Sequence, residues 1–310
     1  MSIVTVTLNP AIDQTISVNH LHIGEVHRAQ SVHYTAGGKG IMVASCLADW
    51  HAEPIIVTGL LGNHNAVLVK SAFQQKNIQD KFVQVAGANR TNIKIVDPSD
   101  TTDINLPGIS ATAEALNQLL QFLETPCDIA VLSGSLPLNC ANDVYVRMLS
   151  VLQKHDAKVI LDASGEALRE ALKAEIKPYC IKPNMAELSD WVGRLLNSQD
   201  DVICEARQLI TSGIQLVVIS MGAEGALFID SEQVIKASLK ANTILTTVGA
   251  GDAMVAGIAT ALREGLSLEA TARLSSAFAV AKLGFIGPDL PERKVVEILA
   301  SQVVIEQLEG

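Results

Sequence analysis

Short apolar runs alternate with longer amphipathic stretches along most of this 310-residue chain. The runs are rich in β-branched residues and almost continuously apolar, as expected of parallel strands that helices cover on both faces. They lie at residues 3–8, 54–59, 129–133, 158–162, 179–182 and 216–220. Helical patterns occupy 65–75, 113–124, 143–155, 186–196, 201–212, 251–264, 268–283 and 292–307. This alternation predicts an α/β fold with a doubly wound, mostly parallel sheet and helices on both faces.

Two segments depart from that pattern, at residues 13–34 and 85–105. Both alternate polar and apolar residues, which is typical of half-exposed strands. We expect them to leave the main sheet and pair as a small β-flap lid over one end of it. No repeat or Pro/Ser-rich linker interrupts the chain, so we expect one domain over residues 1–310. The exposed edges of the flap strands could pair with a second subunit, which would give a homodimer.

The composition and the charge balance argue against several classes of partner. The chain has 23 basic and 33 acidic side chains and a net charge of −10, which disfavours binding to the phosphate backbone of nucleic acids. No apolar stretch reaches the roughly 20 residues of a membrane span. The five cysteines are scattered, without the close pairs of a zinc ribbon or the pattern of a disulfide framework. We therefore expect a cytoplasmic protein with reduced thiols, no nucleic-acid partner and no membrane partner.

The strongest candidate for chemistry is Gly249-Ala250-Gly251-Asp252, which leads into a helical apolar pattern. Glycines let the backbone approach an anion, and the N–H groups of a helix's first turn point towards it. Such a loop suits a phosphoryl group whose charge is increasing. We expect the same field to keep Asp252 ionised, as a base that receives a hydroxyl proton. The alternative is that Asp252 only caps the helix.

Two other segments place charged side chains beside expected turns. Residues 36–40, Ala-Gly-Gly-Lys-Gly, form a glycine turn into a helix, and Lys39 could hold a phosphate or carboxylate. The turn matches neither the P-loop nor the dinucleotide fingerprint.

Farther along, Asn184 and Glu187 have the spacing of a helix-capping arrangement, but Glu187 could instead order a hydrated magnesium ion. Asp162 should lie nearby, at the end of its own strand.

Weaker signals follow other predicted strands. Ser135 lies in one turn, and Ser220, Gly222 and Gly225 lie in another, where plain turns are the alternative. Arg90, Asn92 and Lys94 alternate and therefore share one strand face. That face is either solvated or an anion clamp.

Taken together, these segments resemble the ribokinase-like (PfkB) carbohydrate kinases over essentially the whole chain. Within that family the sequence is similar to the bacterial 1-phosphofructokinase and tagatose-6-phosphate kinase group. The resemblance rests on five motifs in the family's order: residues 7–13 (Thr-Leu-Asn-Pro-Ala-Ile-Asp), 36–40, 133–137 (Ser-Gly-Ser-Leu-Pro), 182–187 and 248–252.

The resemblance implies transfer of a phosphoryl group from ATP, with Mg2+, to a hydroxyl of a sugar phosphate. Asp252 would be the catalytic base, and Gly249, Ala250 and Gly251 would form the anion hole. The residues implied for the sugar phosphate are Asp13, Gly37, Gly38, Lys39, Arg90, Asn92, Lys94 and Ser135. Those implied for the nucleotide are Lys182, Asn184, Ser220, Gly222, Gly225, Gly249 and Gly251. Glu187 and Asp162 would bind magnesium, directly or through its waters.

Two positions depart from the family pattern. Met42 stands where the family usually has an Asn that contacts a sugar hydroxyl, and Asn139 stands near a usual glycine. A thioether does not donate hydrogen bonds and accepts them only weakly. The Arg90-x-Asn92-x-Lys94 pattern is closer to 1-phosphofructokinase, with tagatose-6-phosphate kinase as the alternative. A sugar-phosphate-binding regulator without catalysis is an alternative from another class, whereas a nicotinamide oxidoreductase is disfavoured by the missing fingerprint.

Overall fold

The computed structural model describes residues 2–285 and 287–308 of the chain. The strands are β1 (Ile3–Thr7), β2 (Ala11–Ser17), β3 (Ser31–Gly37), β4 (Ile55–Gly62), β5 (Ile78–Asp80), β6 (Val83–Val85), β7 (Arg90–Val96), β8 (Thr101–Asn105), β9 (Ile129–Ser133), β10 (Lys158–Asp162), β11 (Cys180–Ile181), β12 (Leu216–Ser220), β13 (Ala226–Ile229), β14 (Val234–Ser238) and β15 (Val304–Leu308). The helices are α1 (Lys39–Trp50), α2 (Val67–Gln75), α3 (Ala113–Leu123), α4 (Val144–Leu152), α5 (Gly165–Lys173), α6 (Met185–Val192), α7 (Gln199–Thr211), α8 (Ala250–Glu264), α9 (Leu268–Lys282) and α10 (Arg293–Gln302).

A large sheet forms the centre of the molecule, with the order β15-β14-β13-β12-β11-β10-β9-β1-β4-β5 and with β6 also paired to β4. From β5 to β12 neighbouring strands are parallel, whereas β13, β14 and β15 add an antiparallel extension. The carboxyl ends of the parallel strands meet at one edge, the usual place for ligands in such sheets. The predicted mostly parallel sheet is confirmed.

Helices cover both faces of this sheet, which explains why its strands are apolar on both sides. One core lies beneath α1, α2, α8, α9 and α10 and includes Ile41, Phe73, Val255, Phe278 and Val296. The other lies beneath α3 to α7 and includes Leu119, Met148, Leu168, Leu188 and Ile203. None of the helices in the described ranges has the length and apolar character that crossing a membrane requires.

The predicted flap forms a separate four-stranded sheet of order β3-β2-β7-β8. Its two central strands, β2 and β7, run parallel, and each pairs antiparallel with an outer strand. In this register Asp13 lies beside Asn92. The flap therefore brings together polar residues that are far apart in the sequence.

The last predicted helix, 292–307, is wrong in its second half. α10 ends at Gln302, and β15 pairs antiparallel with β14. The β-branched run Val303-Val304-Ile305 suits a strand, and β14 offers it an open edge. The β13–β14 hairpin was also absent from the sequence prediction, although its turn has a signal: Asp230 Oδ1 accepts hydrogen bonds from the backbone N–H groups of Glu232 and Gln233.

Candidate active site

The predicted glycine loop stands at the N-terminus of α8, where Gly249 is the N-cap with φ of 81°. No side chain caps this helix, so Asp252, in its first turn, does not have the capping role that was the alternative. A β-carbon on Gly249 would be strained at that φ and would lie 2.7 Å from Cε of Met42. The loop therefore requires glycine and presents backbone N–H groups at a helix N-terminus, which favours an anion.

The surroundings of Asp252 do not favour its ionised form as strongly as the sequence led us to expect. Burial, reinforced by the negative charge of Asp162, raises its pKa to about 7, although the charges of Lys39 and Lys182 oppose the shift. A carboxyl group with a pKa near neutrality suits general acid–base chemistry, because it can accept and release a proton near physiological pH. The shift thus strengthens the interpretation of Asp252 as a base.

Asp162 lies between two lysines at the carboxyl end of β10. Its side chain is 1% exposed, with one carboxylate oxygen 3.1 Å from Nζ of Lys39 and the other 3.5 Å from Nζ of Lys182. Burial alone would raise the pKa of Asp162, but the charges of Lys182 and Lys39 lower it overall. Nζ of Lys182 also lies 3.5 Å from the position of a β-carbon on Gly251. Asp162 therefore positions a cation next to the glycine loop.

Asn184 and Glu187 form the capping box that was the structural alternative for them. The Asn184 side chain accepts from the Glu187 backbone N–H, and Glu187 Oε2 accepts from the Asn184 backbone N–H, both at 2.9 Å. A β-bridge joins Asn184 to Ser220, so the ends of β11 and β12 are adjacent. This arrangement leaves the second carboxylate oxygen of Glu187, a half-exposed residue, available to a ligand.

The donor set fits a magnesium ion that is held mainly by phosphates and water. Among the residues described here, no three His, Cys, Asp or Glu side chains cluster closely enough to hold a metal ion. Magnesium usually keeps several waters and takes few protein ligands, so Glu187 alone is compatible with it. Asp162 fits less well as a direct ligand, because lysines face both of its oxygens.

The flap contributes the second group of predicted residues. Nδ2 of Asn92 donates to Oδ1 of Asp13 at 2.7 Å, and a β-carbon on Gly37 would lie 2.4 Å from the other Asp13 oxygen. Nε of Arg90 donates to the Asn9 carbonyl at 3.3 Å. Burial raises the pKa of Asp13, although the Asn92 hydrogen bond and the nearby cations oppose the shift.

The remaining predicted residues occupy the border between the flap and the main sheet. Gly38 is the N-cap of α1, with φ of 110°. Asn9 Nδ2 donates to Oγ of Ser135 at 3.3 Å. Lys94 forms an ion pair with Asp103 at 2.7 Å and lines a small cavity between the flap and the loop before α8. Lys39 has its ionic partner in Asp162, on the main-sheet side.

Sequence reasoning missed an apolar cleft of about 460 Å³ beside the glycine loop. The predicted residues Gly222 and Gly225 form part of its wall, and Ala250 connects it to the loop. Its other lining residues include Leu239, Ile244, Met254, Ala279, Val280 and Leu283. These side chains come from the segment after β14, from α8, and from α9 and the residue that follows it, and no local motif joins them. Ser220 lies at the end of β12, just before the turn that carries the two glycines.

Comparisons with known proteins identify the family of this chain. The pfkB family carbohydrate kinase model matches residues 6–293. A 1-phosphofructokinase of Xanthomonas campestris pv. campestris is 45% identical over 289 residues, 90% of each chain. One from Rhodobacter capsulatus is 42% identical over 314 residues, covering 99% of this chain and 98% of that one.

Solved structures show the same likeness. Phosphofructokinase-2 from Escherichia coli, in complex with substrates and products, is similar with a TM-score of 0.90 and 28% identity, covering 97% of this chain and 99% of that one. The family match spans nearly the whole chain, including the flap, the lysine pair and the glycine loop. The chain belongs to the pfkB family of carbohydrate kinases.

Proposed function

We propose that this sugar kinase is a 1-phosphofructokinase, which transfers the terminal phosphoryl group of ATP to the 6-hydroxyl of fructose 1-phosphate and releases ADP and fructose 1,6-bisphosphate. The observation that carries the proposal is the Asp252 carboxyl, with its pKa raised to about 7, in the first turn of α8 behind the Gly249–Gly251 loop. The relatives from Xanthomonas campestris and Rhodobacter capsulatus are named 1-phosphofructokinases, which supports this choice of sugar.

The apolar cleft suits the adenine base of ATP, because it is lined by aliphatic side chains and opens beside Ala250 of the glycine loop. Gly222 and Gly225 border the same cleft, and Ser220 precedes them. Lys182 stands next to Gly251, where its ammonium would meet the phosphates. Glu187, with Asn184 fixing its carboxylate, would hold magnesium through its free oxygen or a water, and the ion would neutralise phosphate charge.

Asp252 would receive the proton of the sugar hydroxyl as that oxygen forms its bond to the terminal phosphorus. The bond between this phosphorus and the oxygen that bridges it to ADP breaks in the same transfer. Negative charge on the moving phosphoryl group is stabilised by the N–H groups of Gly249, Ala250 and Gly251 and by the dipole of α8. Positioning and charge stabilisation are the main demands of phosphoryl transfer.

The flap would hold the sugar phosphate. The carboxylate of Asp13, oriented by Asn92, can accept hydrogen bonds from sugar hydroxyls. Arg90 and Lys94 lie on the neighbouring strand, on the same face of the flap sheet as Asp13, and would bind the existing phosphate. Gly37, Gly38 and Ser135 would form the adjoining wall. Lys39 forms an ion pair with Asp162, on the side of the main sheet. We therefore assign Lys39 to the space between the terminal phosphate of ATP and the phosphate of the sugar, and not to the sugar alone.

A substrate panel tests the proposal. The purified chain is given MgATP with fructose 1-phosphate, tagatose 6-phosphate, fructose 6-phosphate or glucose 6-phosphate, and ADP release is followed. We expect kcat/KM for fructose 1-phosphate to exceed the others by about 10-fold or more. Phosphorus NMR of the product identifies the new ester. A preference for tagatose 6-phosphate would support the alternative sugar, and binding of a sugar phosphate without ADP release would support a regulator.

We also infer a homodimer that forms through the flap. β3 is an outer strand of the flap sheet, and its Val32 and Tyr34 are 40% and 55% exposed. An outer strand that exposes apolar side chains can pair with a second copy of itself. Pairing of two flaps would bury these side chains and give the flap sheets a common core.

A further inference from the structure

Lys282 is a buried lysine outside the residues assigned above. It lies in the last turn of α9 and is 1% exposed. Its Nζ donates to the Phe285 carbonyl at 2.7 Å, and within the described residues no carboxylate forms an ion pair with it. Burying an ammonium group without a counter-ion is costly. Such a position calls for a functional reason.

The side chain of Lys282 packs directly against the glycine loop. Its Cε lies 3.3 Å, and its Cγ 4.0 Å, from the position of a β-carbon on Gly249. The next residue, Leu283, accepts hydrogen bonds through its carbonyl from the backbone N–H groups of Leu245 and Thr246, at 2.8 and 3.3 Å. The end of α9 therefore holds both the loop and the segment that leads into it.

The charge of Lys282 is not neutralised by its surroundings. The titratable groups that act on it are Cys46, Lys76, Asp252 and Asp289. Asp289 forms an ion pair with Lys76 at 2.8 Å, and the Cys46 thiol has its pKa raised by burial to about 12. Burial lowers the pKa of Lys282 itself, while Asp252 and Asp289 oppose that shift. Of the two carboxylates that act on Lys282, Asp289 pairs with Lys76, whereas Asp252 has no lysine within ion-pair distance among the described residues.

We propose that Lys282 is a positioning residue for phosphoryl transfer: its ammonium is a fixed positive charge behind the Gly249–Gly251 loop, which it holds in the anion-binding conformation. The inference rests on the kinase function proposed above. A positive charge in a water-poor place stabilises charge that grows on the phosphoryl group more than it stabilises bound ATP. A lysine that only satisfied the carbonyls at the end of α9 would affect stability and not turnover.

The test compares Lys282→Met with Lys76→Met. Lys76 is a suitable control because it donates to the Pro288 carbonyl at 3.3 Å, three residues beyond Phe285, and has its own ionic partners in Asp49 and Asp289. Both variants are assayed with the hexose phosphate that the wild type uses fastest, so a wrong choice of sugar does not affect the result. For Lys282→Met we expect kcat about 10-fold or more lower and KM for ATP within about 2-fold. Lys76→Met should retain its turnover.

A transition-state mimic separates charge from packing. Binding of MgADP with aluminium fluoride and sugar phosphate should weaken in Lys282→Met by the factor lost in kcat, while binding of MgADP alone changes little. In Lys282→Ala, ammonium or methylammonium chloride should restore turnover, because a small cation can enter the space left by the side chain. The wild type and Lys282→Met should not respond to these salts.

Three results would overturn the inference: wild-type kcat in Lys282→Met, an equal loss in Lys76→Met, or equal stimulation of all proteins by ammonium. If Lys282→Met does not fold, Lys282→Gln keeps a donor for the Phe285 carbonyl without the charge, and the same outcomes apply. Absence of ADP release by the wild type with every sugar phosphate would instead contradict the proposed function.

Discussion

The side chain of Met42 lies against Gly249, with its Cε 2.7 Å from the position that a β-carbon on Gly249 would occupy. Met42 is buried in α1, and it also lines the cavity between the flap and the loop before α8, together with Asp13 and Lys94. An apolar side chain therefore lies between the flap and the glycine loop. This position can influence which sugar is accepted.

Met42→Asn should change the ranking of sugar phosphates. An amide can donate and accept hydrogen bonds where the thioether cannot, so we expect the ratio of kcat/KM between fructose 1-phosphate and tagatose 6-phosphate to change by about 10-fold. Steady-state kinetics with both sugars measure the ratio. Met42→Leu, which stays apolar, is the control and should keep the wild-type ranking. An unchanged ratio in Met42→Asn would show that Met42 contributes only to packing and not to the choice of sugar.

Asp252→Asn should lower kcat by about 10²-fold or more, because the amide cannot accept the hydroxyl proton. Affinity for MgADP, measured by calorimetry, should stay close to that of the wild type. Asp200→Asn is the matched control, since Asp200 also lies in the first turn of a helix, α7, and is exposed. Near-normal turnover in Asp252→Asn would remove this residue from the base role.

The raised pKa of Asp252 predicts a pH dependence of turnover. Because the base must be ionised and the pKa in the folded protein is about 7, kcat/KM for the sugar phosphate should rise with pH through that value. Lys39→Met should move the rise to higher pH, since the charge of Lys39 lowers this pKa. A rise centred near pH 4 would contradict the raised pKa of Asp252.

The same group should make stability depend on pH. The pKa of Asp252 is about 7 in the folded protein and has an ordinary value of 3.8. Between these values the folded state binds more protons than the unfolded state, so this group's contribution to the free energy of unfolding falls as pH rises. Urea denaturation at several pH values should show a smaller fall in Asp252→Asn. Parallel curves for the two proteins would contradict the shift.

Arg90→Met should raise KM for the sugar phosphate by about 10-fold or more and leave KM for ATP nearly unchanged, because a charge-assisted contact to the existing phosphate is lost. Arg28→Met, at an exposed position of the flap segment, controls for loss of a flap cation and should behave like the wild type. An equal rise in KM for the sugar phosphate and for ATP would show that Arg90 does not bind the sugar phosphate selectively.

A variant with Val32→Glu and Tyr34→Glu should be monomeric if the flap forms the dimer interface. Two carboxylates on the outer strand would repel their copies across the interface. Light scattering gives the mass of wild type and variant. Val67→Glu, at a 77% exposed apolar position on α2, is the control and should stay dimeric. A monomeric wild type would exclude the proposed dimer.

The buried strands could be predicted from sequence with high accuracy. The predicted runs 129–133, 158–162 and 216–220 coincide with β9, β10 and β12. Burial on both faces makes such strands continuously apolar, so their signal is local. β15 was mistaken for helix because its strand character depends on pairing with β14, some 70 residues earlier, which local periodicity does not reveal.

The candidate site was predictable where it consists of contiguous motifs. The glycine loop and the Asn184–Glu187 turn have the local geometry that their spacing indicates. The pairing of Lys39 with Asp162 joins residues 123 positions apart, and the apolar cleft joins several elements, so neither has a local signal. The raised pKa of Asp252 was not predicted because its causes, burial and the charge of Asp162, depend on the tertiary structure.

The register of the flap has a consequence for how this kinase can vary. Asp13 and Asn92 are neighbours on parallel strands of one sheet, whereas Asp252 belongs to α8 in the main body. In the proposed function, a small rotation of the flap sheet would therefore move the acceptor hydroxyl towards or away from Asp252 without changing the contacts that Asp13 and Asn92 make to the sugar. Substitutions at the base of the flap can then alter the speed of transfer separately from the choice of sugar.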